Sequence, residues 1–182
     1  IMFVRSLDSL GNGVFRNSVI QAGNIISPFI FQFEKSNSTT QIQDSKLIDS
    51  AIGIDGFPIL EKEKLYSATG YLYSPVLDLV NQSAGLGFVN IIPDIDGVIR
   101  RIPIAAEYKG RMVPSFFLQS LCSYLDYDLS NIEVVNGAKC LFHNFPEKDK
   151  GIRDISVPLD GMGNLLVNYA GQFNSTNYPQ SF

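Results

Sequence analysis

The chain has no tryptophan, one histidine and two cysteines, and no run of about 18 consecutive apolar residues. Each scarcity excludes something. With a single histidine, any Ser-His-Asp or Cys-His site must use His143. Cys122 and Cys140 are too few for a disulfide framework and, with one histidine, too few for a zinc tetrad. No apolar segment is long enough for a membrane-spanning helix, and no basic stretch leads into an apolar one as in a signal peptide. Basic residues are not in excess: Lys and Arg number 14 against 18 Asp and Glu, a net charge of −4. Nothing here builds the basic face of a nucleic-acid binder.

What is present suits a globular domain. The 182 residues read as one domain by length. The 45% apolar content, with 13 Phe and 8 Tyr, is enough for a packed core. The chain starts at Ile1 inside an apolar run, residues 1–4, which reads as a fragment whose true beginning lies upstream.

Residues 7–21 read as a helix capped by Ser6, with Leu7, Leu10, Val14 and Phe15 on one face, weakened by Gly11 and Gly13 and ended by Gly23. Residues 24–33 read as a strand that Pro28 places at an edge or a bulge. Residues 34–64 form a polar excursion with a short strand near 52–54, and residues 74–84 a helix capped by Ser74. A hairpin follows: strand 87–92, the turn Pro93-Asp94-Ile95-Asp96-Gly97, and strand 98–106. A turn at 108–110 leads into a helix over 115–125, whose apolar face holds Phe117, Leu118, Leu121, Cys122 and Leu125. Strands are predicted at 132–135 and 139–143. A second Asp-Gly hairpin joins 155–159 to 165–169. The fold class is therefore α/β: a mixed sheet with helices packed on it and antiparallel hairpins in the C-terminal half.

Little in this pattern supports catalysis. There is no Gly-x-Ser-x-Gly elbow, and His143 reads as a structural or surface histidine. Asp94-Ile95-Asp96-Gly97 resembles the opening of a calcium loop, but Ala105 stands where the twelfth-position Glu belongs. Gly11-Asn12-Gly13 opens like a dinucleotide fingerprint, but Arg16 replaces the third Gly; Gly85-Leu86-Gly87 lies between helix and strand in the wrong order. No metal or cofactor is implied. Glu61 and Glu63 sit among lysines in a solvated stretch, whereas Asp94 and Asp96 suit either a polar turn or the acid and base of a small hydrolase. Arg100 and Arg101 would point to opposite faces of a strand, one reaching a carboxylate and the other solvated. The cysteines read as two buried thiols or as one disulfide.

Residues 87–103, Gly-Phe-Val-Asn-Ile-Ile-Pro-Asp-Ile-Asp-Gly-Val-Ile-Arg-Arg-Ile-Pro, resemble the central signature of the type-two CHASE domain, a cyclase/histidine-kinase-associated sensory extracellular domain. Tyr108-Lys109-Gly110 followed by Val113-Pro114-Ser115 resembles that family's turn and Pro-Ser-started helix. Asn168-Tyr169-Ala170-Gly171 resembles its closing Asn-Tyr-x-Gly, and Gly23-Asn24-Ile25-Ile26 its strand entry. The family's opening strand, helix and Trp/Pro-Arg segment have no counterpart here. The resemblance implies a non-enzymatic sensor outside the cytoplasmic membrane. It would be tethered by the protein's own transmembrane segments and coupled to a cytoplasmic cyclase or histidine kinase. Its partners would be an unknown small-molecule or envelope signal and a possible second copy. On this reading Asn90, Asp94, Arg100 and Arg101 are the candidate ligand-binding residues, and Asn168 and Tyr169 the candidate signal output. A structural dimerisation module is the other non-catalytic alternative.

Overall fold

The computed structural model describes residues 9–33, 65–73, 77–135, 138–147 and 150–168. Helix α1 (Ser9–Ala22) ends where Gly23 takes φ +66° and donates its N–H to the Val19 carbonyl. Strand β1 (Ile26–Gln32) follows, then β2 (Ser67–Ala68), β3 (Gly70–Tyr73), the single-turn α2 (Leu77–Val80) and β4 (Gly85–Phe88). Next come β5 (Arg101–Pro103), β6 (Ala105–Tyr108), β7 (Arg111–Pro114) and α3 (Phe116–Leu125). A 3-10 turn (Leu129–Asn131) leads into β8 (Ile132–Val135), β9 (Lys139–Glu147), β10 (Gly151–Pro158) and β11 (Asn164–Leu166).

The mixed α/β class holds, and β10-β9-β8 form an antiparallel sheet in the C-terminal half. The other sheets are β3-β1-β4, β2-β6-β7 and β11-β5. Two of the sequence-derived hairpins are replaced by longer-range pairings. The 94–98 turn forms, but the segments around it do not pair with each other: β4 runs parallel to β1, and β5 pairs with β11. The 160–164 turn forms too, yet β10 pairs with β9 while β11 crosses to β5. The short turns favoured local pairing; the better apolar partners lay elsewhere in the chain.

Pro28 shows how a proline fits an inner strand. β3 pairs only with residues 30–32 of β1, and β4 with residues 26–29. The carbonyls of Ile25 and Phe29 face β4, accepting from Ala84 and Val89, so position 28 turns its missing N–H away from β4. On that side, β1 is locally an edge. The Gly85-Leu86-Gly87 run has a packing reason: a Cβ on Gly87 would overlap the Phe116 backbone, where α3 crosses β4.

Two cores meet at the β6–β7 hairpin. Ala106, Tyr108 and Val113 face an aromatic cluster of Phe29, Phe31, Tyr71 and Phe88. Ala105 and Met112 face Ile104, Leu118, Cys122, Ile132, Cys140 and Phe142. Lys109 and Gly110 both hold positive φ in the two-residue turn, the geometry that matches strand twist. Helix α3 starts at Ser115, whose hydroxyl accepts from Leu118 N–H, and ends at Asp126 with φ +50°. Leu118 and Cys122 are buried as its apolar face requires, whereas Phe117 is exposed. α1 departs more from expectation: Val14 is 65% exposed, while Val19 is buried. Of the helix predicted over 74–84, the described part ends at Val80, and beyond it Ser83 donates its hydroxyl to the Leu79 carbonyl and shares a hydrogen bond with Ser27. Ser6, Leu7, the 34–64 excursion with Glu61 and Glu63, and Ser74 lie outside the described residues.

Candidate functional site

Two short sequences with the same spacing build the site. In the first turn, Asp94 N–H donates to the Val98 carbonyl (3.0 Å) and Gly97 N–H to the Asp94 carbonyl (2.8 Å). In the second, Asp160 N–H donates to Asn164 (3.0 Å) and Gly163 N–H to Asp160 (3.0 Å). Gly97 and Gly163 occupy the same place in each, at φ +78° and +76°, where a side chain is strained. The β5–β11 ladder brings the turns together, and Val167 N–H extends it to the Arg100 carbonyl (2.8 Å).

Between the turns lies a chain of charge. Arg100 grips Asp96 with both terminal nitrogens (2.9 and 2.8 Å) and reaches Asp94 Oδ2 (3.1 Å). Arg101 bonds Asp94 Oδ1 (3.2 Å), while its Nε stands 3.6 Å from Asp160 Oδ2. Asp94, the most shielded of these acids at 18% side-chain exposure, thus holds both arginines. This corrects the opposite-face expectation: although Arg100 and Arg101 are neighbours in sequence, both side chains reach the one Asp94 carboxylate. The fork from Arg100 lowers Asp96 to about 2, and the two aspartates raise Arg100 further above its usual range. Burial works to raise Asp160. Hydrogen bonds from the Asn164 side chain and the backbone of Asn164 and Met162 outweigh it, so its pKa falls below the usual carboxylate value.

Asn90 is not part of this cluster. Its side-chain amide pairs with β1 like a strand residue, accepting from Phe31 N–H and donating to the Phe31 carbonyl (2.8 Å each). Asn168 is exposed just beyond β11, and Tyr169 lies outside the described residues. The second turn's acid, Asp160, was missed as a site residue; the echo between the two Asp-Gly turns was its signal. Cys122 and Cys140 are free and buried, and burial pushes both thiols to about 12. Among the described residues no group of three His, Cys, Asp or Glu is arranged to hold a metal. Nor is any helix there long and apolar enough to cross a membrane.

The CHASE2 domain family matches residues 12–181, spanning both turns and the sheet between them. The chain belongs to that family. CHASE2 domains are extracellular sensory domains without catalytic activity of their own. No curated protein and no solved structure matches the chain significantly. The matched range takes in the first turn, both arginines and the segment that follows β11.

Proposed function

We propose that this CHASE2 domain is the extracytoplasmic sensor of a transmembrane receptor, relaying a small-molecule or envelope signal to a cytoplasmic cyclase or histidine kinase. The observation that carries this reading is the paired-turn latch. Its arginines are half-exposed, at 44% and 52%, so their ion pairs exchange with solvent and with ligand groups. A ligand bearing a carboxylate or phosphate competes with Asp94 and Asp160 for Arg100 and Arg101. Displacing Arg100 loads the Arg100–Val167 bond, and Val167 is followed by Asn168 and Tyr169, the proposed output. Asn90 supports the latch by fixing the end of the β4 segment to β1.

The test is a thermal-shift screen of the chain against metabolites, ions and envelope extracts. A ligand at about 100 times its dissociation constant adds roughly 2.7 kcal/mol, several degrees at this size. A reproducible shift that Arg101→Gln abolishes supports the reading; a shift that both Asp94→Asn and Arg101→Gln leave intact places the site elsewhere. Self-association is the second reading. Ile91, Ile92, Ile95, Val98 and Ile99 are all exposed on the segment around the first turn. A concentration-dependent dimer that Ile95→Lys dissolves would favour it.

A further inference from the structure

The only histidine sits in the β10-β9-β8 sheet, between two carboxylates. His143 Nδ1 lies 3.2 Å from Asp154 Oδ2, on β10, and Nε2 lies 3.3 Å from Glu133 Oε2, on β8. A neutral imidazole has one N–H and one lone pair, so it donates to one carboxylate and faces the other with a repelling acceptor. Only the imidazolium donates to both. We propose that Glu133, His143 and Asp154 form a proton-operated tie, closed across all three strands when His143 is charged and open on one side when it is neutral.

The local backbone makes this more than a surface ion pair. Arg153 pairs with Phe145 and Ile155 with Phe142, so Asp154 faces both His143 and Asn144 across a bulge. Asn144 takes φ +55°, and Asp154 Oδ1 accepts its N–H at 2.9 Å. One carboxylate thus secures the bulge and the ring together. Because Asp154 keeps the Asn144 bond in either state, the Glu133 side is the one that opens. The groups facing His143 are Glu133 from β8, Asp154 from β10 and Tyr127, which follows α3 and donates its hydroxyl to the His143 carbonyl. Arg153, beside Asp154 in sequence, is engaged with Glu147. Burial pushes the Tyr127 hydroxyl to about 12, so it stays a donor throughout the relevant range.

Hydrogen bonds that the ring donates to Asp154 and then to Glu133 raise His143 above its ordinary value. A raised histidine adds stability below the unfolded value of about 6.5, and that stability is lost as pH rises through the folded value. The tie therefore closes on acidification. This device does not depend on the receptor reading, since it belongs to the sheet itself.

With one histidine, NMR of the His143 Cε1–Hε1 pair in the 182-residue chain reads the titration without ambiguity. The expected midpoint lies above about 6.5, with the Asn144 amide following the same curve. Glu133→Gln and Asp154→Asn each lower that midpoint, and Asp154→Asn retains an acceptor for Asn144. The thermal midpoint falls as pH rises through the transition in the natural chain and stays flat in His143→Gln. A midpoint at or below the ordinary value, or one that neither carboxylate variant moves, overturns the proposal.

Discussion

The turns at 94–98 and 160–164 share a hydrogen-bond frame and a glycine at φ near +77° but differ in what surrounds them. The second is built inward. Asn164 is 5% exposed; its side-chain amide donates to both Asp160 oxygens (3.1 and 3.0 Å) and reaches the Tyr66 hydroxyl (3.3 Å). The first turn stands outward, with Ile95 fully exposed, and is held by charged groups that water also reaches. Bonds from a buried amide such as Asn164 are costly to leave unmade, whereas exposed ion pairs are screened and exchangeable. One backbone motif thus serves as an anchor in one place and as a movable clamp in the other.

Substitution at matched positions should separate them. Gly163→Ala puts a methyl both in the left-handed region and into Leu65, and should cost at least ~2 kcal/mol in urea unfolding. Asn164→Ala should follow at about 1–3 kcal/mol, by leaving buried polar atoms unpaired. Gly97→Ala meets nothing within 4 Å and should cost only the backbone strain, about 1 kcal/mol. Equal losses at the two glycines would erase the comparison. Arg100→Gln should be the mildest, and its effect should vanish toward ~1 M salt, where the screening length is about 3 Å. Acid titration sharpens the point. Asp96, lowered by Arg100, adds stability above the unfolded value of about 3.9, lost as pH falls toward about 2. Asp96→Asn should remove that slope while leaving the Asp160 contribution in place.

The turns were legible because their chemistry is local: aspartate accepts neighbouring N–H groups, and glycine alone is at ease with positive φ. The pairing of β4 with β1 and of β5 with β11 was not, because those partners are dozens of residues apart and a turn does not name the strand that its arms will join. Arg100, Arg101 and Asp94 stood out as a charged run in sequence. That Asp94 holds both arginines depends on how the 94–98 turn folds its carboxylate back over them, which periodicity does not show. Asn90 was noticed, but a side-chain amide standing in for a strand residue leaves no pattern to read. His143 reads from sequence as a structural or surface histidine, but its carboxylate partners follow only from the register that the bulge at Asn144 sets.

On the proposed reading, a signal acts on the 94–98 turn while the 160–164 turn stays fixed. Native-state hydrogen exchange on the chain tests it most directly. Fast exchange is expected at Gly97 and Val98 and protection approaching global unfolding at Gly163 and Asn164, with Arg101→Gln accelerating Val167 but not Gly163. Protection at Gly97 equal to that at Gly163, unaltered by Arg101→Gln, would contradict it.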